Sequence, residues 1–159
     1  MTHFKQKYNE KHPPAWILSE ILPFGVLTSI YSNITNMRLK KCVAQRFGLQ
    51  VSPFEAWITI VTLTRNACCH HARVWNKRNS IRPTLPNRLS NPWISSDTDP
   101  LRIYFDLCII KYFINIISPD NDMVQKIKSL LSDYPNVDLA AMGFPHGWEE
   151  EPLWCCLRD

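Results

Sequence analysis

Residues 65–76 read RNACCHHARVWN, a run holding two arginines, two asparagines, a cysteine pair and a histidine pair. Three chemistries draw on such residues. Thiols and imidazoles ligate zinc, low-pKa thiols carry redox exchange, and an imidazole beside a guanidinium suits reactions at a phosphate. Helical geometry weighs against the first. Successive residues on a helix diverge by about 100°, so CCHH cannot close on one tetrahedral ion as a CxxC loop does. No metal site is expected, and a cluster of Cys155, Cys156 and one of these histidines is the one version left open. The remaining cysteines are isolated at Cys42 and Cys108 rather than spaced as a framework. Reduced thiols are therefore expected, with Cys68 a small core residue.

On a helix, Asn66, His70 and Arg73 stand at i, i+4 and i+7 and share one face. Arg65 lies at the edge of that stripe and Lys77 extends it. His71 points about 100° away, at the surface or the edge of the core. Periodicity alone favours a satisfied polar stripe over a catalytic one, and the functional reading stays open on that ground.

The elements that must hold these residues are helical. The chain has 159 residues, four glycines, twelve prolines and 45% apolar residues. That is a globular composition without strand signals of weight, and the fold class expected is all-α in a single domain spanning 1–159. The spacing predicts a helix from Trp16 to Leu22, broken by Pro23, and a second piece over 26–34. A basic helix from Arg38 to Phe47 is closed by Gly48. Ser52, Pro53 and Glu55 read as a helix start with Ser52 as N-cap, and the pattern then runs to about Asn76. Residues 77–100 carry four prolines and no periodicity, which predicts a long basic loop. Helices follow over 101–117 and 121–133, and the tail MGFPHGWEEEPLW (142–154) packs its aromatics as a cap, with His146 at the surface. The first fourteen residues lack the apolar run of an export signal. The stretch 101–118 carries Arg102, Asp106 and Lys111 and reads as a core helix rather than a membrane span. A cytoplasmic protein is expected.

RNACCHHARVWN resembles the signature helix of the Abi family, the AbiD/AbiF-like abortive-infection proteins. PPAWILSEILPFGVLTSIY (13–31) and MGFPHGWEEEPLW (142–154) match it as well, in the right order, so that the resemblance runs from about Tyr8 to Trp154. The matched segments correspond to the C-terminal half of longer members, so that an N-terminal helical half is expected to be missing. Cys69 stands where the family pattern usually has alanine. That family is similar to HEPN domains, all-α bundles that bind and cleave RNA and carry an R-x4-6-H pattern. The resemblance implies a HEPN-like helical bundle with Arg65, Asn66 and His70 as catalytic residues.

It further implies a metal-independent endoribonuclease, without cofactor, that acts as a toxin-like phage-defence protein. The implied partners are RNA, a second copy of the chain in a homodimer, and an antitoxin of protein or RNA, with no membrane. Arg73, Lys77, Arg78, Arg82 and Arg88 would guide the RNA backbone, in keeping with a formal net charge of +4. Trp75 or Trp93 would be available for base stacking, although Trp75 falls on an apolar sector and reads as core. Two other readings remain: a catalytically inactive module that binds RNA or a nucleotide, and a helical interaction scaffold.

Overall fold

The computed structural model describes residues 13–155. The segment read as lacking an export signal falls largely on residues 1–12, and Cys156 on the last few. Both lie outside the described residues. Among those described there are six α-helices, one 3-10 turn and no strand, as an all-α fold requires. The helices are α1 (Ala15–Ile21), α2 (Phe24–Ser32), α3 (Met37–Arg46), α4 (Val51–Cys69), α5 (Ile103–Ile117) and α6 (Met123–Asp133). The 3-10 turn is Trp148–Glu150.

Local chemistry accounts for most of the boundaries. Pro14 and Pro23 precede α1 and α2 at their N-cap positions, where an absent N–H breaks no helical bond. The Asn36 carboxamide oxygen caps α3 by accepting from the backbone N–H groups of Arg38 and Leu39 at 3.0 and 3.2 Å. Gly48 ends α3 at φ +65, with the N–H of Leu49 returning to the Ala44 carbonyl and that of Gly48 to the Gln45 carbonyl. This pair of returning bonds is the Schellman end that glycine favours.

The expected start of α4 shifts by two residues. Gln50, not Ser52, is its N-cap, and no side chain bonds there. Proline is tolerated anywhere in the first turn because those N–H groups have no helical partner, so Pro53 marks the turn and not the residue.

The core centres on Trp57, fully buried at 0% exposure. Its ring stacks on Trp93 at 4.8 Å and meets the Tyr112 edge at 5.2 Å. Phe47, Phe54 and Phe113 continue the aromatic cluster, and Lys40 stitches α2, α3 and α4 together. Its ammonium donates to the Ser32 carbonyl and pairs with Glu55 at 2.6 Å, while the Tyr31 hydroxyl donates to the Lys40 carbonyl. The tail caps the bundle as expected: Met142, Phe144, Trp148, Leu153 and Trp154 are buried, and the Trp154 indole N–H donates to the Tyr104 hydroxyl at 3.1 Å. His146 is exposed.

Residues 70–102 contain neither helix nor strand, yet they are a packed strap rather than a free loop. Pro83 is buried, and the Trp57 indole N–H donates to the Thr84 carbonyl at 3.1 Å. Trp93, an expected candidate for base stacking, is half-buried and packs against Trp57, Phe105 and Tyr112. The far end of the strap is clamped by Glu151, whose carboxylate accepts from the backbone N–H and hydroxyl groups of both Ser95 and Ser96.

Burial of Glu151 pushes its pKa up, but the four donors win, and the group sits below its ordinary value of 4.5. The sign is that of a depressed carboxyl. The stabilisation is complete above pH 4.5 and is lost as pH falls through the lower folded value. Glu151→Gln removes that part of the acid sensitivity and lowers the melting temperature at neutral pH, which thermal denaturation across pH 3 to 7 reads out. A wild-type acid limb that survives in the variant rejects the clamp.

Candidate active site

The helix carrying the motif stops earlier than its periodicity suggests. α4 ends at Cys69, with His70 as C-cap and His71 left-handed at φ +53. The N–H of Ala72 returns to the Ala67 carbonyl at 2.8 Å and that of His71 to the Cys68 carbonyl at 3.1 Å. This is the hydrogen-bond pattern that ends α3, with histidine in the place of Gly48. Without a glycine at this point of the sequence, nothing marks the stop.

The expected polar stripe is therefore cut. Asn66 and His70 stay within one turn, while Arg73 and Lys77 leave the helix and belong to the strap. The burial of α4 is likewise confined to Pro53, Phe54, Trp57 and Ile60. Cys68, expected in the core, is exposed, and so are Cys69 and His71. Trp75 is 47% exposed because it no longer sits on a helix face turned to the core.

A left-handed histidine strains the backbone by roughly 1–2 kcal/mol. His71→Gly is therefore expected to stabilise the protein by about 1 kcal/mol, part of the relief being returned as unfolded-chain entropy. Urea denaturation measures it, and a destabilised variant argues against the strain.

Of the three motif residues, two touch. The Arg65 guanidinium donates to the Asn66 carboxamide oxygen at 3.1 Å. Asn66 also accepts the His70 backbone N–H on its own carbonyl at 3.0 Å. Arg65 and His70 are exposed and Asn66 is half-buried. The His70 imidazole makes no hydrogen bond or ion pair among the described residues, so both ring nitrogens face solvent or a ligand. The site is an exposed ridge at a helix C-terminus, where the macrodipole is negative. An anion is held there only by side chains, unlike the phosphate sites at helix N-termini.

The cations for that task lie on the strap. Arg73, Lys77, Arg82 and Arg88 are exposed and make no ion pair among the described residues. Arg78 pairs with Asp99 at 2.6 Å, which fixes the strap at its own root, and Arg102 approaches the same carboxylate at 3.9 Å. Arg82 borders a separate open cavity with Asp97 and Asp99, so its field is partly offset. Among the described residues no group of three histidines, cysteines and acids stands close enough to hold a metal, and Cys156 lies outside them.

One polar cluster went unread in the sequence. Asp106 is 3% exposed within the apolar helix α5, and its Oδ2 accepts from the Thr64 hydroxyl at 3.0 Å and the Asn79 carboxamide at 2.8 Å. Burial pushes its pKa up, and these two donors only partly offset that. An acid inside an apolar helix is itself a signal, since a charge there needs partners, but its partners come from α4 and the strap, 42 and 27 residues away. Two positions along α5, burial pushes the Cys108 thiol up to about 12, which leaves it unreactive.

No helix among the described residues is long and apolar enough to cross a membrane. None of the curated proteins and none of the solved structures matches the chain. A family model does: that of the Abi-like proteins, over residues 1–76. The match takes in α1 to α4 and closes at Asn76, the last residue of RNACCHHARVWN. Through these helices and the motif that ends them, the chain is similar to the Abi-like family.

Proposed function

We propose that this protein is a metal-independent endoribonuclease of the HEPN type, acting in the abortive-infection, phage-defence role that its similarity to Abi-like proteins suggests. One observation carries the reading: Asn66, one turn from the exposed imidazole of His70, holds the Arg65 guanidinium within the family-matched segment.

The chemistry follows from the groups. The ribose 2′-hydroxyl attacks the adjacent phosphorus, its proton passes to a base, and the P–O5′ bond breaks as the departing oxygen takes a proton. The products are a 2′,3′-cyclic phosphate and a 5′-hydroxyl, and DNA, lacking the 2′-hydroxyl, is no substrate. Imidazole suits the proton transfers because residues of its type titrate near neutrality. The transition state spreads extra negative charge over the phosphate oxygens, and the planar, permanently charged guanidinium of Arg65 offers paired donors to it. Asn66 holds Arg65 in place.

The one imidazole assigned to the site, that of His70, leaves the second proton transfer without a group. A homodimer bringing two α4 ends together supplies it, and the lack of any intrachain partner on His70 favours that arrangement. Arg73, Lys77, Arg78, Arg82 and Arg88 form the cationic approach, and the salt dependence of binding reads their share. An antitoxin of protein or RNA would cover the same ridge. The test is cleavage of a mixed RNA in EDTA. Cyclic-phosphate ends from wild type and none from His70→Ala support the reading; intact RNA from a folded wild-type dimer leaves a binding module.

A further inference from the structure

Beside the motif, between α4 and the strap, lies a cavity of about 190 Å³ that the chemistry above does not use. Its apolar walls include Leu63 and Ala67 of α4 and Val74 and Ile81 of the strap. Leu63, Ala67 and His70 are spaced i, i+4 and i+7, so the cavity opens on the face of α4 that ends in His70. Ala67 and His70 are three residues apart, a rise of about 4.5 Å along the helix.

The polar part of the wall is Thr64, Asn79 and Asp106, and Lys77 stands among the lining residues as a cation. Asp106 has used only one of its oxygens. Oδ2 accepts from Thr64 and Asn79, whereas Oδ1 is buried and has no hydrogen-bond partner among the described residues. A buried carboxyl oxygen left without a donor is an exception among folded proteins, and the group it lacks is an N–H or O–H.

Size and chemistry together restrict the occupant. Sites for drug-sized ligands run from roughly 300 to 1,000 Å³, so this cavity admits a single ring system and not a whole nucleotide. Apolar walls suit flat ring faces, a carboxyl short of a donor suits an exocyclic amine, and a lysine among the lining residues suits a phosphate left outside. We propose that the cavity receives one amino-bearing nucleobase (adenine, cytosine or guanine) unstacked from the RNA, and so selects which phosphate reaches His70. Uracil is discriminated against because its only ring donor is flanked by two carbonyl oxygens, which would oppose the Asp106 carboxyl. The proposal takes its ligand class from the ribonuclease reading, but binding of the base is measurable without cleavage.

Saturation-transfer NMR on the full chain with the four 5′-mononucleotides, at millimolar concentration and in EDTA, provides the test. The expected result is transfer to the base protons of AMP, CMP and GMP and at least tenfold weaker affinity for UMP. Ala67→Leu, which fills the cavity from a half-buried position, removes the transfer. Asp106→Asn keeps the shape and abolishes the preference over UMP. Ile81→Phe repeats the filling from the strap, so that a misfolded Ala67→Leu protein does not decide the matter. Equal binding of all four nucleotides, no transfer to any, or transfer that survives both filled variants overturns the proposal. Wild-type RNA cleavage alongside any of those results leaves the ribonuclease standing without the base pocket. Selective binding without cleavage leaves the pocket standing and removes the ribonuclease.

Discussion

His70→Ala is expected to slow RNA cleavage in EDTA by a factor of about 10²–10⁴, the share typically supplied by one general acid or base. Arg65→Ala is expected to lose at least as much, since a donor aimed at developing charge is worth about 10²–10³ by itself and its loss also disturbs binding. Neither change should move the melting temperature by more than a degree or two. Both side chains are exposed, His70 has no partner within the described residues, and Arg65 gives up one surface hydrogen bond to Asn66. That combination of lost activity and unchanged stability is what a structural role cannot produce. Arg65→Lys separates charge from shape. Lysine keeps the positive charge but not the paired planar donors, so the reading predicts little rescue. A His70→Ala protein that still releases cyclic-phosphate ends, or an Arg65→Lys protein at wild-type rate, removes the assigned roles. His71→Gly should keep the activity, and its loss there would move the imidazole assignment one residue along.

The largest expected effect on stability is at Trp57. Trp57→Ala should cost roughly 3–5 kcal/mol, the range for truncating a fully buried large aromatic. A protein of this kind has about 5–15 kcal/mol in total, so the variant would be partly unfolded at 37 °C. Three losses add up there: the buried ring, its stack on Trp93 at 4.8 Å, and the indole hydrogen bond to Thr84. The second and third belong to the strap, so the truncation should also release residues around Thr84 and Trp93. Hydrogen exchange would show that release first in the strap and only later in α5. Trp57→Phe refills most of the volume but leaves the Thr84 carbonyl without its donor, and a loss of about 1–3 kcal/mol is expected. A cost below 1 kcal/mol for Trp57→Ala in urea denaturation would mean that the cluster is not the core.

Where the sequence was readable, the reason was local. Pro14, Pro23, Asn36 and Gly48 each act within a few residues of themselves, and the helices they bound fall close to expectation. The aromatic tail was readable because so many large apolar groups in one stretch have to be covered. Where it was not readable, the deciding partner lay far along the chain or lacked its usual residue type. His71 takes the conformation that glycine normally marks, which hid the end of α4 and displaced Arg73, Lys77 and Trp75 from the helix. The strap looked like a free basic loop because its anchors, Trp57 and Glu151, are 27 and 56 residues from the groups they hold. Of the candidate site, Arg65, Asn66 and His70 could be named from spacing and resemblance. The Asp106 cluster could not, because it exists only once α4, the strap and α5 have met.

The Glu151 clamp also sets an order of events during synthesis. Ser95 and Ser96 leave the ribosome some 56 residues before the carboxylate that binds them, and contacts of such separation form late. The nascent chain therefore holds α1 to α4 and the whole RNACCHHARVWN run while the far end of its strap, at Ser95 and Ser96, is still unclamped. That end of the strap settles into its final course only once Glu151 has been added. Shortening the tail before Glu151 would consequently yield a chain that keeps every motif residue but leaves Ser95 and Ser96 without the carboxylate that holds them.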